Sequence, residues 1–163
     1  MNKHFIQEIL NSIDPLLKSQ GHKKTGNTFS RILDDLTHAI KLQSSQSSTS
    51  EILKVTVNIE IRSSKLYSLQ YTSIPEKQIS HYRQRIGSYC EPPFDKWWII
   101  DDNISLQSAI NELNSLLVQN VLPSLSKIIS VEDLKKMWLK GECPGLTEGQ
   151  RKEYLALLEK AFI

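Results

Sequence analysis

The sequence predicts an α+β domain: an antiparallel sheet of about five strands, with an N-terminal helix and three C-terminal helices packed on one face. Three observations carry that expectation. Apolar residues recur at helical period up to residue 20 and again beyond residue 104, they alternate with polar residues at period two between 27 and 100, and turn-forming residues separate the runs. At 163 residues the chain has the length of one ordinary domain. Residues 1–163 are therefore expected to share one core, with a helix at 1–20, the sheet at 27–100 and a helical region at 104–162.

The first element is amphipathic, with Phe5, Ile6, Ile9, Leu10, Ile13, Leu16 and Leu17 on one stripe. Pro15 interrupts it and removes a backbone donor, so a kink or a second short helix is expected there. Gly21 offers the stop. Thr28 to Leu33 and Leu36 to Leu42 then read as a hairpin turning at Asp34-Asp35. Gln43 to Ser50 consists only of Gln, Ser and Thr, which cannot bury apolar surface, and a mobile loop is expected.

The clearest strand follows. Leu53, Val55, Val57, Ile59 and Ile61 share one side, and Lys54, Thr56, Asn58 and Glu60 the other, the pattern of a sheet with one packed and one wet face. Ser80 to Gly87 and Phe94 to Ile100 are two more strand candidates, separated by a turn at Pro92-Pro93. Between them, residues 63–79 alternate only partly, through Leu66, Tyr67, Leu69 and Tyr71.

Helical period returns with Leu106, Ile110, Leu113, Leu117, Val121 and Leu125, and Pro123 is expected to bend the last turns of this long helix. Ser130, followed by Glu132 and Asp133, has the form of an N-cap with first-turn acids and opens a helix through Leu139. Gly141 and Pro144-Gly145 end it. Thr147 and Gln150 stand at capping-box spacing before a last helix bearing Tyr154, Leu155, Leu158 and Phe162.

Composition narrows the function classes. Hydrophobic residues at 39% and charged residues at 23% fit a globular chain and argue against a disordered or disulfide-dense one. No stretch approaches the ~18 apolar residues that span a bilayer, and Lys3, His4 and Glu8 interrupt the first ten residues, so neither an anchor nor a signal peptide is expected. Cys90 and Cys143 lack metal-type spacing and are too few for a staple framework. They read as free thiols in a reducing compartment, with the cytoplasm as the expected address. A net charge of +2 argues against a nucleic-acid partner.

No Gly-rich phosphate loop, HExxH, Walker lysine or GxSxG occurs, and neither a cofactor nor a metal is expected. Cys90 and His81 stand nine residues apart with no third group to orient them, so Cys90 reads as a small half-buried residue rather than a nucleophile. His4, His22, His38 and His81 fall in different elements, and only His4 has a carboxylate, Glu8, at helical spacing.

Two polar features remain. His81, Arg83 and Arg85 project from one side of a strand, either as a cationic row for a carboxylate, phosphate or acidic partner, or as a solvated face paired across strands to Glu60. Trp97 and Trp98 point to opposite faces. Because Phe94, Trp98 and Ile100 share a side, Trp98 is expected in the core and Trp97 on the wet face, unless helices cover both. A basic cluster of His22, Lys23, Lys24, Arg31 and Lys41 surrounds the first hairpin without interleaved aromatics.

Taken in order, Leu16-Leu17-Lys18, Gly21-His22-Lys23-Lys24, Thr28-Phe29, Arg31, Gln43-Ser44, Val57-Asn58, Arg85-Ile86-Gly87 and Trp97-Trp98 resemble a bacterial family of unknown function. Its members read approximately LKxxGFKKxGxTFxR, then QxS, an Asn in the central strand, RIGxL and WW. The resemblance covers residues 5–125 and departs at His22, where Phe is usual, and at Tyr89, where an apolar residue is usual. It implies no enzymatic activity. In size and α+β build such chains are similar to immunity proteins that neutralise a cognate toxin.

The leading expectation is therefore a non-enzymatic, cytoplasmic immunity protein, a monomer or weak dimer, that occludes a toxin domain through Arg31, Gln43, Asn58, Arg83, Arg85 and Trp97. A basic toxin would demand a local acidic patch on this slightly basic chain, for which Asp34, Asp35, Asp101 and Asp102 are the candidates. The alternative is a pocket for an anion or nucleotide-like ligand on the wet sheet face. There Arg31 and Arg85 would supply the fork, Gln43 and Asn58 paired donors and acceptors, and Trp97 a stacking plane. Burial separates the two: a concavity holding both arginines favours the ligand, and a flat exposed face favours a protein. An RNA-binding role ranks last.

Overall fold

The fold was analysed in a computed structural model that describes residues 2–161. Its order is α1 (Asn2–Ser19), β1 (Lys23–Thr25), β2 (Thr28–Leu33), β3 (Leu36–Ser44), β4 (Leu53–Ser63), α2 (Ser64–Leu69), β5 (Tyr82–Arg85), β6 (Trp98–Ile100), α3 (Asn103–Leu116), α4 (Leu122–Leu125), α5 (Val131–Leu139) and α6 (Glu148–Ala161). All strand pairs are antiparallel, in the order β1-β2-β3-β4, with β5 and β6 laid end to end along the far edge of β4. The α+β architecture is the one the sequence predicts.

The alternation in β4 explains the layering. Leu53, Val55, Val57, Ile59 and Ile61 are all buried and share a face with Leu36, Ile40 and Leu42 of β3 and Phe29 of β2, to which the register aligns them. α1 lays Phe5, Ile9, Leu10, Ile13 and Leu17 into the same core, which Leu106, Leu113, Val121, Leu134, Trp138 and Leu158 of the later helices complete. The helices thus cover one face. The other, carrying Ser30, Ala39, Asn58 and Arg85, lies open.

Several local expectations give way to tertiary constraints. α1 runs through Pro15 as one helix, because that residue faces solvent, where water can take the carbonyl left without a donor. β1 is a sixth strand without an apolar pattern, held by its register to β2. The strand expected at Ser80–Gly87 shrinks to β5 and passes into a 3₁₀ turn at Ile86–Tyr89. That expected at Phe94–Ile100 shrinks to β6, so Trp98 and Ile100 are buried while Phe94 is exposed. The ambiguous stretch begins as α2, capped by the Ser63 hydroxyl, which accepts from the Leu66 amide at 3.0 Å.

Strand β3 takes in Gln43 and Ser44, and the rest of the Gln/Ser/Thr stretch is tied down rather than loose. The Lys54 amide donates to Ser48 Oγ at 3.0 Å, and the Ile52 amide to Thr49 Oγ1 at 3.0 Å. The long C-terminal helix contains a π turn at Leu117–Val121 ahead of Pro123, whose missing N–H relieves the α-helical ladder there. The helix expected to open at Ser130 does so, with the Ser130 amide donating to Asp133 Oδ2 at 3.1 Å, and the capping box expected at Thr147/Gln150 forms. Phe162 lies outside the described residues. Among those described, no helix is long and apolar enough to cross a membrane.

Candidate functional site

The open face is built by register. One row across the strands reads Lys23, Ser30, Ala39, Glu60, Arg83, and the next Thr25, Thr28, Lys41, Asn58, Arg85. Two polar clusters result.

The first centres on Glu60, which is only 4% exposed although it stands on the uncovered side. Arg83 holds its Oε1 through Nε at 2.8 Å and Nη2 at 2.7 Å, Ser80 Oγ donates to the same oxygen at 2.8 Å, and Lys41 Nζ lies 2.5 Å from Oε2. Burial works to raise the carboxyl's pKa, but the hydrogen bonds from Lys41, Ser80 and Arg83 outweigh it and hold the group below its ordinary value. Glu60 is therefore an ionised anchor that fixes two cations at defined points. Beside it, between β1 and the segment 76–80, the face sinks into a trough of about 350 Å³. The depression follows from the short side chains of Thr28, Ser30, Thr37 and Ala39 on the middle strands, with Lys41 and Arg62 rising on either side.

The second cluster occupies the neighbouring row of the same face. Asn58 Nδ2 donates to Gln43 Oε1 at 2.5 Å, and Asn58 is paired across the strand with Arg85. Arg85 Nη1 bonds both Asp95 oxygens at 3.0 and 3.1 Å and lies 4.9 Å from the centre of the Trp97 ring. Trp97 Nε1 donates to the same carboxylate at 3.1 Å, and these bonds from Arg85 and Trp97 lower the Asp95 pKa. Gly87 makes the arrangement possible. A Cβ there would stand 1.8 Å from the Phe94 carbonyl oxygen, so only glycine lets segment 94–97 cross this end of the sheet. Lys96 O then accepts from Thr56 Oγ1 at 2.7 Å.

Gln43, Asn58, Arg85 and Trp97 thus meet as the sequence suggests, and Arg83 joins the neighbouring cluster. Arg31 does not. It is in register with buried His38 on the helix-covered face and its side chain packs beside Gly21, whose φ of +90° suits glycine. His81 also leaves the expected cationic row. It is fully buried, the Ser63 amide donates to its Nδ1 at 2.9 Å, and its ring packs edge-on against Tyr154 at 5.1 Å. Burial, then the charge of Arg62, depress its pKa to about 4, so it is neutral.

The four candidate acidic residues form no patch. Asp34 and Asp35 turn beside Ser63 at one end of β4, whereas Asp101 and Asp102 follow β6 beside Leu53 at the other, ~33 Å away along ten residue steps. Three of them have local duties: Asp35 accepts from Ser63 Oγ at 2.6 Å, and Asp101 and Asp102 accept from Ser105 at the start of α3. Sequence reasoning missed Asp95, Ser80 and the small-residue floor of the trough. Asp95 sits outside any strand, and the others converge only once the register is known. Among the described residues no group of three or more His, Cys, Asp or Glu side chains could hold a metal.

Comparison with known proteins fits this division. A family model described as a domain of unknown function, DUF4304, matches residues 13–127. The chain belongs to this family. The DUF4304 match runs from the middle of α1 to just beyond α4, so it takes in the whole sheet and both open-face clusters and excludes α5 and α6. No curated protein and no solved structure matches the chain.

Proposed function

We propose that the protein is a non-enzymatic binding protein whose open sheet face receives an acidic protein partner, in the specific form of an immunity protein that occludes a toxin domain. The observation that carries this reading is the charge on the uncovered face. Lys23, Lys41, Lys54, Arg62, Arg83 and Arg85 outnumber Glu60, Glu76 and Asp95 there, and two of the cations are pre-positioned by a buried carboxylate. Oriented charge of one sign accelerates association and selects against partners of like charge. With the acidic residues dispersed, the fitting toxin is one whose contact surface is acidic rather than a basic nuclease. Cys90 and Cys143, both free thiols, suit a cytoplasmic address.

The test is capture from lysate of the source organism with cross-linking, repeated with an Arg83→Glu/Arg85→Glu variant. A stoichiometric partner that arrests growth when produced alone, is relieved by coexpression, and is captured at least tenfold less by the variant is the expected result. A partner retained equally by the variant, or one without toxicity, overturns the reading.

A further inference from the structure

We infer that the trough beside Glu60, on the same face as the proposed partner surface, is a binding site for a phosphomonoester of a small polyol. Three features of the trough specify that chemistry. First, short side chains, Thr28, Ser30 and Thr37 around Ala39 with Thr25 and Ser80 at the margins, offer hydroxyls beside the apolar Ile32 and Ile79, which suits a ligand with both hydroxyls and a carbon skeleton. Second, the walls are cationic in excess. Lys41, Arg62 and Lys77 line the trough and Arg83 stands behind Glu60, against the carboxylates of Glu60 and Glu76, leaving room for the roughly two negative charges of a phosphomonoester.

Third, two of these cations are available to a ligand. Arg62 and Glu76 approach only to 3.8 Å, and neither the Arg62 Nε nor the Glu76 Oε1 has a hydrogen-bond partner, so the guanidinium gives up little by turning toward an oxyanion. Lys77 is exposed and has no ionic partner among the described residues. A volume near 350 Å³ stands at the small end of ligand sites and suits a compact ester. Glu60 does not repel such a ligand, because Lys41 and Arg83 cover its oxygens.

The experiment is an NMR titration of the ¹⁵N-labelled full chain at low ionic strength with glycerol 3-phosphate, glycerol, inorganic phosphate and gluconate. Saturable shifts confined to Thr28, Ala39, Glu60 and Lys77 are expected with glycerol 3-phosphate, at least fivefold tighter than with inorganic phosphate or gluconate, and absent with glycerol. Ala39→Leu, which fills the half-exposed floor, and Lys77→Glu, on an exposed wall, should each weaken binding at least tenfold while leaving the remaining spectrum in place. Equal affinity for gluconate overturns the phosphate assignment, and equal affinity for inorganic phosphate overturns the polyol. No saturable shift with any probe overturns the site itself, and none of these outcomes bears on capture of a protein by Arg83 and Arg85.

Discussion

On one side of strands β2 to β4, Phe29, Ile40 and Ile59 are at most 1% exposed, while on the other Ser30, Ala39 and Lys41 from the same strands touch water. The two faces differ in more than polarity. On the covered face the requirement is volume: any apolar side chain that fills the space at native density serves, and stability comes from area removed from water. On the open face the two clusters are set by named partners, as Glu60 has Lys41, Arg83 and Ser80, and a substitution in them disturbs a geometry rather than a volume. The comparison teaches that core packing and exposed polar networks are carried by alternate residues of the same strands.

The largest expected effect is on the covered face. Phe29 is fully buried in the second strand, facing Ile40 across the pair, and Phe29→Ala removes its ring and leaves a cavity. Such truncations cost ~3–5 kcal/mol, a large part of the stability of a domain this size. Urea denaturation checks it, and a loss below ~1 kcal/mol would break the distinction between the faces.

Comparable in size is an effect of pH. His38, facing the helices, has its Nε2 2.7 Å from the Ile128 carbonyl oxygen, and burial depresses its pKa to about 4, as it does that of His81. Both rings are neutral in the fold, and His81 must stay so, since its Nδ1 accepts the Ser63 amide. Above about pH 6.5 neither state binds the proton and stability is complete. As pH falls below that, the unfolded chain takes up protons that the fold refuses, and stability drops until the folded pKa near 4 is reached, by roughly 3 kcal/mol for each histidine. Urea midpoints measured from pH 7.5 to 4.5 should fall steadily, with buried His22 adding to the fall in the same direction, and the fall should be smaller in His38→Gln if that variant folds. A flat profile would mean that these rings are hydrated.

The covered face was legible in the sequence and the open face only in part, for a physical reason. Burial imposes a period, so Leu53 to Ile61 and the stripes of α1 and α3 declare themselves. A polar network imposes none. Gln43, Asn58, Arg85 and Trp97 could be gathered on one face by counting alternation from a clear strand, but Arg31 was misplaced because its distance from that strand hid the register that turns it toward His38. The short strands β1 and β6 carry too few residues to show a period, and the trough needs small residues from two strands to stand beside a serine outside either.

The smallest expected effect tests the open face directly. Arg85 binds Asp95 and covers Trp97, yet its side chain is 40% exposed and that of Asp95 60%, so water competes for every contact. Exposed pairs of this kind add little to stability, so in a domain of this length Tm should move by less than ~4 °C. Arg85→Ala should therefore melt nearly like the wild type, while tryptophan emission shifts to the red as the Trp97 ring loses its cover. Calorimetry and fluorescence read the two quantities separately. Should Arg85→Ala melt as Phe29→Ala does, the arginine would be holding segment 94–97 against the sheet at Gly87, and this end of the open face would have to be counted with the core.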